Sequence, residues 1–361
     1  MADTFQKSDG MNYAPKGKPN PVCAYGDFKF AAVGLDHGHI FGMCNGLLEA
    51  GAALVKVFDP DSQKVAAFLQ QFPHAQTAAS YEEILKDPEI RLIASAAIPK
   101  DRCSIGIRAM QAGKDFFGDK PPVITLDQLE LARQTVAETG RKFLVYFSER
   151  LHVEASVFAE QLIRQGAIGQ VVHIDGFGPH RLSAASRPAW FFDKDCYGGI
   201  ICDIGCHQIE QFLFYGGAKA ADIDFSRVAN YSQKQHPHFE DFGDIYLTAD
   251  NGVTGYLRID WFTPEKMPVW GDGRTFITGT KGTIELRKYI DVCHSRAGNH
   301  VYLCNEEVCE HYELDSKVGF PFFGAMILDC LNRTETAITQ SHIFRTLELS
   351  IKAQQAAKAI R

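Results

Sequence analysis

Long apolar runs are missing from this chain of 361 residues. No stretch reaches the roughly 18 apolar residues that a membrane helix needs, so no membrane partner is expected. An excess of positive charge is missing too. The formal net charge is -7, which provides no electrostatic footprint for nucleic acid. The first 27 residues lack the apolar core of a signal peptide and carry Pro15, Lys16, Gly17, Lys18 and Pro19 in its place. They read as a flexible or surface-draped arm on a cytoplasmic protein. Paired CxxC spacing is also absent among the 10 cysteines, which therefore read as reduced thiols and not as a disulfide framework. Two weak zinc groupings, Cys202 with Cys206 and His207, and His300 with Cys304, Cys309 and His311, fall short of ligand spacing, and no metal is expected. Internal repeats, low-complexity tracts and long linkers are lacking as well.

What is present is an ordinary globular composition, 45% apolar and 22% charged. The length exceeds what one hydrophobic core usually supports, so two domains are expected. Residues 28 to 148 alternate short apolar runs with helical stretches, the pattern of βαβ units around a parallel sheet. Phe28 to Val33 and Leu54 to Phe58 read as the first two strands, with a helix from His39 to Ala50 between them. Later strands fall at Leu92 to Ala97, Phe116 to Gly118 and Phe143 to Phe147.

A glycine turn after the first strand, with an acid at the end of the second, builds a dinucleotide site. Pyrophosphate rests on the helix N-terminus and the acid takes the ribose hydroxyls. Here the turn is Gly34, Leu35, Asp36, His37, Gly38, His39 and Ile40, and the acid is Asp59. Only the first glycine of GxGxxG is in place. Asp36 and His39 stand where glycines are usual, and a carboxylate at 36 would repel phosphate unless it turns away or binds another group. Asp59 favours NAD over NADP, because it accepts hydrogen bonds from a free 2′-hydroxyl and repels a 2′-phosphate.

Residues 149 to 341 have strand texture with short Gly or Asn turns, as at Asn251–Gly252 and Lys281–Gly282, which predicts hairpins and a mainly antiparallel sheet. A helix from His342 to Ile360 closes the chain and is expected to pack back on the nucleotide domain. Within GGIICDIGCHQIE, at 198 to 210, Asp203 and His207 lie at i and i+4 of a helix, so the carboxylate can orient the imidazole while the other ring nitrogen moves a proton. His236, His238, Glu240 and Asp241 read as a polar loop.

Five stretches together resemble the Gfo/Idh/MocA oxidoreductases: AAVGLDHGHI, LIASAAIP, AMQAGKDFFGDKP, GGIICDIGCHQIE and GTKGTIEL. The resemblance covers nearly everything after residue 27. It implies an α/β architecture of a Rossmann dinucleotide-binding domain and an open-faced sheet domain. It also implies hydride transfer between a nicotinamide cofactor, NAD before NADP, and a secondary alcohol of a sugar, glycoside or polyol. Carried over by residue, Lys120 is the lysine of the family's EKP motif, and Asp203 and His207 are its DxGxH pair. Ala97, Ile98, Pro99, Asp119 and Pro121 join the turn and Asp59 as cofactor contacts. His207 is the preferred base and Lys120 the group that stabilises negative charge on the substrate oxygen, with the reverse assignment open. Arg150, His180, Trp190 and Trp261 are expected substrate contacts, and a homodimer or homotetramer is expected from the open sheet face. A glycosidase or lyase that retains NAD, and a non-catalytic cofactor-sensing member, are the alternative readings.

Overall fold

A computed structural model describes residues 10 to 360. The described residues form two compact units: Met11–Tyr146 with Pro321–Phe344, and Phe147–Phe320 with Gly10 and residues 345–360. Each unit is therefore built from separated segments of the chain.

The first unit begins with β1 (Lys29–Val33), α1 (His39–Glu49), β2 (Ala53–Phe58), α2 (Ser62–Gln71), β3 (Gln76–Thr77) and α3 (Tyr81–Lys86). It continues with β4 (Ile90–Ser95), α4 (Pro99–Gln111), β5 (Asp115–Asp119), α5 (Leu126–Thr139) and β6 (Phe143–Tyr146). The strands pair in the order β3-β2-β1-β4-β5-β6, all in parallel. Their sequences are continuous apolar runs because both faces are covered, as parallel sheets require. Helix starts follow local chemistry: Asp61, Ser80 and Thr125 accept the N–H groups of Gln63, Glu83 and Gln128, and Pro99 opens α4. Strand order reverses direction between β1 and β4, the place where open α/β sheets bind ligands beyond the carboxyl ends of their strands.

The N-terminal arm, where described, lies along α1. Glu49 accepts the Gly17 N–H at 2.8 and 3.0 Å, and Asn20 and Val22 donate to the carbonyls of Glu49 and Ala50. Ala14 and Pro15 pass Gly42, and the Met11 carbonyl reaches Gly38, where a Cβ would stand only 2.3 Å from it. The sequence expectation of a draped arm thus gains a path that ends at the glycine turn.

The second unit starts with α6 (Ser148–Leu151), α7 (Glu154–Arg164), β7 (Val171–Pro179), α8 (Lys194–Tyr197) and α9 (Cys206–Tyr215). Strands β8 (Ala221–Ala229), β9 (Phe242–Ala249), β10 (Thr254–Asp260), β11 (Arg274–Gly279), β12 (Gly282–Arg287), β13 (His300–Asn305) and β14 (Cys309–Glu313) follow. With the short β15 (Lys358–Ala359), they order as β14-β13-β12-β11-β7-β10-β9-β8-β15, mainly antiparallel, with β7–β10 and β8–β15 parallel. One face packs on α7 and α9. The other presents half-buried Tyr246, Tyr256, Phe276 and Tyr302.

After residue 320 the chain adds α10 (Pro321–Asn332), α11 (Gln340–Ala356) and the short β15 (Lys358–Ala359). Helix α10 belongs to the first unit. The last helix divides: residues 340–344 group with the nucleotide unit, where Phe344 stacks on Phe143, and residues from Arg345 onward group with the sheet unit. There the Ser226 hydroxyl donates to the Ala353 carbonyl at 2.8 Å, and β15 extends the edge beside β8. The fully reduced cysteine set is corrected. Cys304 and Cys309, directly opposed across β13 and β14, form a disulfide, and the other eight cysteines are free.

Candidate active site

In the first unit, the residues singled out as cofactor contacts collect at the carboxyl ends of the parallel strands. Gly34 follows β1 with φ +73°, and a Cβ there would sit 2.6 Å from that of Ala97. Only glycine fits this turn, which brings the ends of β1 and β4 together. Helix α1 then starts at Gly38 with no side-chain cap on its first turn, as an anion-binding helix N-terminus requires. The backbone path therefore fits a dinucleotide, with Gly34, Leu35 and Gly38 supplying the turn and the helix end. Ile40 is fully buried, so only its backbone is available.

Asp36 does turn away. Its Oδ1 lies 2.5 Å from Lys64 Nζ on α2, a cation that the sequence reading missed. Asp59 is placed as expected at the end of β2, yet its side chain is only 1% exposed. Its oxygens accept the N–H groups of Leu35 at 2.7 Å and Asp61 at 2.8 Å, so it braces the turn from beneath.

His39, in the place of a glycine, instead joins a buried network with Asp119. Its Nδ1 is 2.9 Å from Asp119 Oδ1, and its ring lies 4.1 Å from that of His37. Arg102, also missed, is the hub. It is 1% exposed, pairs with Asp119 Oδ2 at 3.0 Å, and donates to the carbonyls of Ala97 at 2.6 Å, Lys120 and Pro121 at 3.3 Å. One guanidinium thus fixes the loops after β4 and β5, including the buried Lys120 and its cis bond to Pro121. Burial alone would raise the Asp119 pKa, but the Arg102 charge and His39 hold it well below the usual carboxylate range. Burial, followed by neighbouring His39, pushes His37 well below the usual imidazole value. The LIASAAIP turn leads to Ile98 and Pro99 at the start of α4, and the same helix carries Arg102 into this network.

In the second unit, Asp203 and His207 are both buried, at 8% and 2% exposure. The single α-helix expected for them is corrected: Ile201–Gly205 is a π-helical turn, and α9 begins at Cys206. Such single π turns recur at functional sites, and five residues of sequence cannot separate their period from 3.6. Around His207 the structure gathers groups the sequence did not single out. Glu149, 1% exposed, accepts Lys288 Nζ at 2.7 Å and Gln208 Nε2 at 2.9 Å. Against the upward push of burial, the charge of Lys288 together with His207 and His180 holds the Glu149 carboxyl far below its ordinary value. Glu149 is therefore an anion within electrostatic reach of both histidines.

The four residues expected to meet substrate divide. His180 packs its ring on Trp270 at 4.4 Å and Trp261 at 5.3 Å. Trp190 is half-buried beside Phe191. Trp261 is 7% exposed within an aromatic cluster of Phe191 and His180, a packing role. Arg150 is a correction: its guanidinium bonds both Glu210 oxygens at 2.7 and 2.9 Å and covers the Phe214 ring. This buried ion pair ties α6 to α9 and leaves little of the arginine for a ligand.

Among the described residues, two side-chain groups bring metal-ligand atoms within 4.8 Å of one another: His37, His39 and Asp119, and His300, His311 and Glu313. In the first, Arg102 already occupies Asp119 and the His39 N–H bonds His37 Nδ1 at 3.2 Å, so a cation would compete for spent lone pairs. The second retains the two histidines of the hairpin grouping, while its cysteines are joined to each other. Glu240 and Asp241 serve loops, with Asp241 accepting the N–H groups of Tyr231 and Ser232.

Comparison with known proteins accords with this architecture. Residues 28–147 match the oxidoreductase family with an NAD-binding Rossmann fold, and residues 157–285 match the GFO/IDH/MocA C-terminal domain. A crystal structure from Erwinia carotovora atroseptica, provisionally assigned as an oxidoreductase, is 50% identical with a TM-score of 0.90, covering 92% of this chain and 100% of that one. The scyllo-inositol 2-dehydrogenase (NAD(+)) of Bacillus subtilis is 27% identical over 65% of this chain and 66% of its own length. For the D-xylose dehydrogenase of Paenarthrobacter nicotinovorans the identity is 27% over 40% of this chain and 38% of that protein. The chain thus spans less than two thirds of either curated relative. No helix among the described residues is long and apolar enough to cross a membrane. With both of its units matched, the chain belongs to the Gfo/Idh/MocA family of oxidoreductases.

Proposed function

We propose that this protein oxidises a secondary alcohol of a sugar, glycoside or polyol with NAD as hydride acceptor. The observation that carries the proposal is the convergence of Gly34, Ala97, Asp119 and Lys120 at the carboxyl ends of β1, β4 and β5, tied by buried Arg102. When bound, the nicotinamide supplies the hydride acceptor, and the protein's part is to position the alcohol and take its proton. Lys120 is the donor that hydrogen-bonds the substrate oxygen and stabilises the charge developing there. His207 is the base, oriented by Asp203, and its positive form after proton uptake is favoured by the Glu149 carboxylate. The curated relatives that act on inositol and xylose support a polyhydroxylated substrate. A homodimer or homotetramer through the open sheet face, with its half-buried aromatic residues, completes the reading, as does a cytoplasmic location.

The test is a panel of polyols, monosaccharides and glycosides assayed for NADH formation, with the purified protein's mass measured by light scattering. Steady NADH production with at least one polyhydroxylated substrate, from a species of two or four chains, is the expected result. Turnover of a glycoside with no net NADH would replace the dehydrogenase by an enzyme that retains its cofactor. No cofactor affinity at all would sink both.

A further inference from the structure

The usual reader of the cofactor's ribose in this fold is the acid that ends the second strand, and in this chain that acid is already engaged. Both Asp59 oxygens hold backbone N–H groups, at 2.7 and 2.8 Å, and the side chain is 1% exposed. Lys64 Nζ stands 4.0 Å from it. Above it lies the Asp36–Lys64 pair, whose side chains are 17% and 36% exposed. Asp36 spends Oδ1 on Lys64 at 2.5 Å and makes no hydrogen bond from Oδ2 among the described residues, so that oxygen is left to accept. A residue that merely closed the turn would bond its own backbone. Asp36 instead reaches a lysine on another helix and keeps an edge toward solvent. Burial is the largest single influence on Lys64 and lowers its pKa, but the bond to Asp36 together with the charges of Asp36, Asp59 and Asp61 outweighs it, so the net shift is upward and the amine stays an ammonium.

We propose that Asp36, steadied by Lys64, is the residue of this chain that reads the 2′ position of the adenosine ribose, and that Asp59 is the strut beneath it. The proposal rests on the nucleotide-binding reading of this unit. Asp36 accepts a hydrogen bond from a free 2′-hydroxyl. With Asp59 and Asp61 beside it, three carboxylates face one ammonium, and a dianionic 2′-phosphate meets net repulsion. The aspartate at a glycine position is then a specificity element, and Lys64 is its counter-ion.

The experiment measures Kd for NAD and for NADP by calorimetry on the full chain and on Asp36→Asn, Lys64→Gln and Asp59→Asn, with thermal unfolding recorded for each. The full chain is expected to prefer NAD. Asp36→Asn should lower the ratio of the NADP to the NAD constant by about tenfold or more, the worth of one charged contact, because it weakens NAD and frees Lys64 to meet a phosphate. Lys64→Gln should raise that ratio. Asp59→Asn should reduce thermal stability and leave the ratio within about threefold. An unchanged ratio in Asp36→Asn overturns the proposal, as does a ratio that collapses in a stably folded Asp59→Asn. Loss of both nucleotides from a folded Asp36→Asn also overturns it, because that result marks a holder of the turn and not a selector. If the unaltered chain binds neither nucleotide, the nucleotide-binding reading itself fails and the proposal falls with it.

Discussion

His207→Ala is expected to lower kcat by about 10²–10⁴-fold, the range lost when a positioned acid or base is removed, while the Kd for NAD stays within a few fold. The imidazole is 2% exposed, belongs to a unit separate from the glycine turn, and serves the alcohol and not the nucleotide. Its surroundings sharpen the expectation. A base that becomes positive in a buried place needs a nearby anion, and Glu149 is ionised within reach of it. Glu149→Gln should therefore shift the rising limb of the kcat/KM profile toward lower pH, because the neutral amide no longer favours protonated His207 and the base gives up its proton earlier. Near-normal rates in His207→Ala would move the base role to Lys120. A profile that does not shift in Glu149→Gln would confine Glu149 to pairing with Lys288.

Asp119→Asn should cost about 3–5 kcal/mol of folding stability, measured by denaturant unfolding at neutral pH. Removing one member of a buried ion pair strands the charge of the other, and Arg102 has a side chain only 1% exposed. The pH dependence follows from the direction of the shift. The Asp119 pKa in the folded protein lies well below its ordinary value, so its contribution is complete above the unfolded carboxylate value of about 4 and is lost as pH falls through the folded value. The original protein should lose stability below about pH 4, and the variant should show a flatter curve over that window. Equal stabilities at neutral pH would mean that Arg102 is satisfied by its carbonyl acceptors alone.

Much of this architecture was legible in the residues. The βαβ alternation and the glycine turn are patterns of period and position, and they survive because each depends on near neighbours. What could not be read depends on partners far along the chain. Arg102 is one of several charged residues on α4, and nothing local marks it as the one that turns inward. Glu149 and Lys288 are 139 positions apart, and Asp36 and Lys64 belong to different helical neighbourhoods. Arg150 looked available for a ligand because Glu210, its partner 60 residues on, carries no signal of pairing. Asp59 stands at the end of β2 as expected, and its hydrogen bonds to the Leu35 and Asp61 N–H groups were not legible in the sequence. The π turn at 201–205 escaped because it differs from an α-helix by one residue in five.

The return of residues 321–344 to the nucleotide unit sets the order in which a nascent chain can finish folding. Phe323 of α10 fills the space beside Gly46 so closely that a Cβ there would be 2.2 Å from its ring. Arg333 pairs with Asp115 at 2.7 Å, and the Gln340 side chain accepts the Phe143 N–H at 2.9 Å. Each link spans nearly 200 residues or more, so the parallel sheet must wait, with part of its apolar surface uncovered, while the whole intervening sheet unit is synthesised. A fragment ending at residue 150 should accordingly aggregate or bind a hydrophobic dye, and supplying residues 321–344 in trans should reduce that binding. A soluble, cooperatively unfolding fragment would show instead that the unit closes before its last segment arrives.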